Sequence, residues 1–157
     1  MKNRILNIFF VLLIFLFAGC SNNSYQNSLY NDNIKISEQG DSFSFKDRIG
    51  TTEDNSLSLT FNGFYGKQTI WAINTDEYSV IDIAVKVNVT SGKFKICLIN
   101  ENKEVSVISE GSIDQIISIN IPKGKNYIAI VGSDANGEAD VKISNIGNVS
   151  IYSDRNC

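Results

Sequence analysis

The run Asp134-Ala135-Asn136-Gly137-Glu138-Ala139-Asp140 brings four oxygen-bearing side chains into seven residues. Calcium is held by several hard oxygens from a tight loop, which makes Asp134, Asn136 and Asp140 candidate ligands. An EF-hand loop puts Gly at its sixth position and Glu at its twelfth. Counted from Asp134 these are Ala139 and Asn145, so that pattern fails. The simpler reading is a hairpin turn, because Asn-Gly supplies the positive φ that a tight connection needs. A second concentration is aromatic: Phe61-Asn62-Gly63-Phe64-Tyr65-Gly66, followed by Trp71. Sugar C–H groups pack on flat exposed rings while polar neighbours bond the hydroxyls. Phe64, Tyr65 and Trp71 are therefore candidate ligand-binding residues, with Asn62, Lys67 and Gln68 as neighbours. The rival use of Phe61 and Trp71 is to fill a core.

Other chemistry is thinner. The chain contains no histidine, which excludes Ser-His-Asp and Cys-His catalysis and removes the commonest zinc ligand. Asp76 with Glu77, and Glu101 with Glu104, read as solvated loop charges rather than an acid–base pair, which needs a cleft between two carboxylates. The expectation is a protein that is not an enzyme and carries no cofactor.

The elements that position these residues read as strands. Ile81, Ile83, Val85, Val87 and Val89 alternate with Asp82, Ala84, Lys86 and Asn88. A period of two puts one face in a core and the other in water. Ser91-Gly92 reads as a turn into a second strand, Phe94 to Leu98. Ile117, Ile119 and Ile121 form a third, closed by Pro122-Lys123-Gly124. Tyr127–Val131 and Val141–Ile143 read as partners across 132–139. Shorter candidates are Ile34–Ser37, Ser42–Lys46, Leu57–Phe61, Thr69–Ile73, Val105–Ile108 and Val149–Tyr152. No helical period emerges after Cys20. The predicted class is all-β, an antiparallel sandwich of jelly-roll or immunoglobulin type, over residues 34–157. The strand-and-turn succession from Ser91-Gly92-Lys93 to Asn136-Gly137 resembles small β-sandwich domains of exported proteins, among them pre-peptidase C-terminal and carbohydrate-binding modules. The resemblance implies a non-catalytic accessory fold and carries over no site residue.

The N-terminus gives an address. Lys2 and Arg4 precede the apolar run Ile8–Ala18, which is too short to span a bilayer and stops abruptly before Ser21-Asn22-Asn23-Ser24. The sequence Leu16-Phe17-Ala18-Gly19-Cys20 resembles the lipobox of bacterial lipoproteins, with Phe17 where Leu is usual. The resemblance implies removal of 1–19 as a signal peptide and lipidation of Cys20 by a diacylglycerol thioether and an N-acyl chain such as palmitate. The protein would then lie on the extracytoplasmic face of a cell membrane; its Asn, Ile and Lys content suggests a Gram-positive source. Ser21–Asn33 is polar and reads as a flexible tether, so that 20–33 form the lipidated N-terminus and leash.

Loss of Lys2 and Arg4 leaves 12 basic against 17 acidic residues, a formal charge of −5. A mildly acidic chain without a basic block argues against nucleic acid. The expected partners are the membrane, through the anchor, and an envelope protein or polysaccharide. Cys97 and Cys157 are the remaining cysteines; in an exported chain they form a disulfide or stand as separate thiols.

Overall fold

A computed structural model describes residues 24–145 and 148–153. The class expected from the sequence is what forms: an all-β body in which every strand pairing is antiparallel. The elements in chain order are α1 (Ser24–Leu29), α2 (Asn33–Ser37), β1 (Ser42–Ser44), β2 (Asp47–Thr52), β3 (Ser56–Thr75), β4 (Ser79–Ile99), β5 (Val105–Glu110), β6 (Ile113–Ile121), β7 (Gly124–Asn145) and β8 (Ser150–Ser153).

Three of these strands are far longer than the sequence suggests. Ser91-Gly92 does not end a strand: β4 runs through it. Asn136-Gly137 does not make a hairpin, and 127–131 does not pair with 141–143; both belong to β7. Leu57–Phe61 and Thr69–Ile73 are likewise two parts of β3. The glycine sites lie side by side instead. Gly137 is opposite both Phe61 and Val89, Asn136 is opposite Ser91, and Ala135 is opposite Phe64. Register shifts interrupt β3 between Phe61 and Gly66, and β4 between Val89 and Lys93, along the same line. Bulges and glycines of this kind turn a sheet corner. Here they bend one sheet over onto itself.

The bend creates the two layers. The first is β2-β3-β7-β4-β6, built from the early parts of β3 and β4 and the late part of β7. The second uses their other halves, flanked by β1 and β8 on one side and β5 on the other. Leu57, Leu59, Ile83 and Val85 from the first layer join Ile73, Ile96, Leu98 and Ile128 from the second in a single core. Phe61 stacks on Phe94 across the bend, centroids 4.9 Å apart. At the open end, the Trp71 Nε1–H donates to the Glu53 carbonyl at 2.7 Å, and Ser153 Oγ–H to Asp54 at 2.7 Å. The layers are thus tied together at both ends.

The polar stretch expected to be a leash differs too. Its residues from Ser24 onward fold against the outer face of the second layer, and Ile34–Ser37 is helical rather than extended. Asp32 caps α2, its Oδ1 accepting from the Ile34 and Lys35 amides at 3.1 and 3.2 Å; such caps contribute about 1 kcal/mol. The anchors are Leu29, Tyr30 and Ile36, all buried. Tyr30 and Ile36 cover Cys97, Ile99, Ala129 and Val131 in a second small core. Hydrophobic burial at three positions is enough to hold this strap, at roughly 1.5–3 kcal/mol each.

Beneath the strap, the Tyr30 hydroxyl donates to Glu110 Oε1 at 2.8 Å, and Lys95 Nζ lies 4.8 Å from its ring centroid. Burial first, then that hydrogen bond, raises the phenol pKa above its usual 10.0. Burial also pushes the Cys97 thiol from 9.0 up to about 11, against a lowering by Lys95. The fold holds both groups neutral at a pH where the unfolded chain has released their protons. Stability is therefore complete below pH 9 and falls as the pH rises from 9 to 11, by about 1.4 kcal/mol per unit for each group titrating. Urea midpoints across that window check this; a flat profile would contradict it.

Candidate functional site

Of the residues expected to bind a ligand, Phe64 and Trp71 are core. They are 0% and 1% exposed, and Phe64 is stacked on Phe45 with centroids 4.4 Å apart. Neither offers a face to a sugar, and Trp71 takes the rival use of filling the core. Tyr65 is half-buried and hydrogen-bonded to Asp134; burial and that bond raise its pKa.

The calcium candidates are structural as well. Asn136 sits at the bend and joins three strands: its Oδ1 accepts from the Gly63 amide at 2.8 Å, and its Nδ2 donates to Ser91 Oγ at 2.6 Å. Asp134 serves Tyr65. Asp140 lies further along β7, opposite Ser58 and Lys86. These three do not converge, and no metal-holding group of three or more carboxylates or cysteines forms among the described residues. Cys97 is a buried free thiol; its proposed partner Cys157, and the lipidation residue Cys20, lie outside the described residues. Asp76, Glu77, Glu101 and Glu104 are all exposed.

A site that the sequence reading missed lies on the outer face of the second layer, at the open end. A bulge between Thr69 and Trp71 turns both Ile70 and Trp71 inward, so Ala72 faces outward. Ala72 is opposite Tyr127 on β7 and Tyr152 on β8. Neighbouring strands are about 4.8 Å apart, so two tyrosines stand about 10 Å apart over a methyl floor. The cavity they share measures about 660 Å³. Tyr152 is 62% exposed and Tyr127 half-buried.

The walls are fixed in place. On one side, the loop 38–41 is pinned to β3. Lys67 Nζ donates to the carbonyls of Ile36 and Glu38 at 3.2 and 2.7 Å, and lies 3.9 Å from Asp41. Asp41 in turn accepts from the Thr69 amide and hydroxyl at 2.7 and 2.8 Å. On the other side, the turn from Asn100 to Glu104 is closed by Lys103 N–H donating to the Asn100 carbonyl, and by Asn100 Nδ2–H donating to Glu104 at 2.6 Å. Lys125 Nζ lies 5.2 Å from the Tyr127 ring centroid. Among the described residues the lining charges balance: Lys67 is matched by Asp41, and Lys103 and Lys125 stand with Glu38 and Glu101.

No family model matches this chain, and no curated protein does. Among solved structures, it is similar to a family 35 carbohydrate-binding module from an environmental isolate: 12% identity, TM-score 0.34, covering 73% of this chain and 84% of that one. It is also similar to the CBM22-1 xylan-binding domain of Paenibacillus barcinonensis Xyn10C, at 12% identity and TM-score 0.31, with 80% and 92% covered. Procruciferin, an 11S globulin of Brassica napus, gives 14% identity and TM-score 0.31, with 62% and 22% covered. Likeness at this level carries no argument about function, which must come from the site itself.

One groove on the first layer, about 400 Å³, crosses Ser58, Asp140, Lys86 and Asp114 and has no aromatic residue in its lining.

Proposed function

We propose that this protein is a lipid-anchored, extracytoplasmic binding module that holds a neutral carbohydrate in the Tyr127–Tyr152 pocket and performs no chemistry on it. The observation that supports the reading is the pair of tyrosines flanking Ala72, inside a preformed cavity whose rim carries amide, carboxylate and ammonium groups. Ring faces take the apolar faces of a sugar, and the rim takes its hydroxyls. Balanced lysines and glutamates favour an uncharged ligand, since a charged one would leave repulsion uncompensated. Fixed walls keep the ordering cost of binding low. The anchor rests on the lipobox resemblance of residues 16–20.

The test is titration with a panel of neutral oligosaccharides, followed by calorimetry. Tyr152→Ala is expected to weaken binding by about 2 kcal/mol, some thirtyfold, with an unchanged melting temperature, because its ring is largely exposed. Tyr127→Ala weakens binding similarly. A panel that yields no ligand, or variants that bind as the native protein does, would overturn the reading.

A further inference from the structure

We infer that the folded body stands upright on the bilayer, bent end toward the lipid and tyrosine pocket away from it. This rests on the lipid-anchor reading above and adds an orientation to it. Only Ser21, Asn22 and Asn23 separate Cys20 from Ser24, the first residue of α1. Even fully extended, that span is about 14 Å. A long leash would let the domain tumble freely; a span this short keeps the surface around α1 close to the bilayer while α1 stays docked.

The contacts of α1 hold it. Leu29 and Tyr30 are 2% and 3% exposed at its C-terminal end. The Ser133 hydroxyl donates to Asn27 at 2.5 Å, and the Tyr25 hydroxyl donates to Glu38 at 3.1 Å. Ser133 is opposite Lys93, beside the bend. Tyr127, in the pocket, lies six residues back along β7, about 20 Å away. Asn27, three residues from Ser24, is thus held beside the bend, and Tyr127 lies at the other end of the same stretch of β7.

The orientation makes the first layer's polar face a side wall and directs the pocket outward, toward material beyond the membrane. It is tested in the full-length lipidated chain in wall-free cells. Single cysteines are placed at the bend by Lys46→Cys and at the pocket end by Asn102→Cys, both exposed positions, in a Cys157→Ser background; Cys97 is buried. Labelling uses a bulky polyethylene-glycol maleimide. Asn102→Cys is expected to react several-fold faster than Lys46→Cys. Detergent extraction, or a long Gly-Ser insertion after Asn23, is expected to equalise the rates. Equal rates on the intact membrane overturn the orientation and leave the anchor standing. Recovery of the unmodified chain in the soluble fraction, like a Cys20→Ser chain, overturns both. Glycan titration of the same variants reads the pocket separately.

Discussion

Trp71→Ala is expected to cost about 3–5 kcal/mol of folding stability, the range for emptying a large aromatic site in a packed core. Trp71 is 1% exposed and lies between the layers. Its removal also takes the 2.7 Å hydrogen bond from the Glu53 carbonyl, and a typical hydrogen bond contributes about 0.5–1.5 kcal/mol. A domain of this size is stable by about 5–15 kcal/mol, so the variant sits near its limit. The melting temperature should fall by roughly 10–20 °C. Trp71→Phe retains much of the volume and loses the hydrogen bond, so it should fall between the variant and the native protein. Thermal unfolding by circular dichroism decides. If Trp71→Ala melted like the native protein but lost glycan, the ring would be a binding surface and the closure of the sandwich at Trp71 would be wrong.

This result also separates what was legible in the sequence from what was not. The alternation from Ile81 to Val89 reports one buried face truthfully, because the period of a strand belongs to the residues themselves. Even residues buried on both faces left a trace. Ile96-Cys97-Leu98-Ile99 and Ile128-Ala129-Ile130-Val131 are unbroken apolar runs, and central strands covered on both sides read that way. That pattern demanded a cover for Cys97 and Val131. Tyr30 and Ile36 supply it, although their neighbours are polar enough to suggest a tether.

The pocket was not legible for a different reason. Tyr127 and Tyr152 are 25 residues apart and each looks like an ordinary strand residue. They meet only because β3 lies between their strands, and because one bulge at 69–71 sends Trp71 inward and leaves Ala72 between them. Local propensity ranked Trp71 and Phe64 as the conspicuous rings; packing put them to use as core. Register creates this site, and register is not a local property.

The glycines carry the same ambiguity. A glycine at positive φ serves a two-residue turn and a sheet corner equally well, so Ser91-Gly92 and Asn136-Gly137 gave turn signals inside continuous strands. Gly92 tests the corner directly. Its φ is 73°, and a Cβ there would strike the Asp134 carbonyl oxygen and come within 2.8 Å of the Ala135 Cα. Both obstacles are backbone of the adjacent central strand, which is stapled at this level by Asn136. Gly111 is the matched control: its φ is also 73°, with nothing within 4 Å of the added carbon. Gly111→Ala should therefore lose only the conformational part, about 1–2 kcal/mol. Gly92→Ala loses that part and must also push β4 from β7 where the sheet turns, a further loss of about 1–3 kcal/mol as overpacking goes. Denaturant unfolding of the two variants gives the difference. A large excess for Gly92→Ala locates the close approach that bends the sheet. Equal losses would mean that the strands part there freely, and that something other than backbone proximity at Gly92 turns the corner.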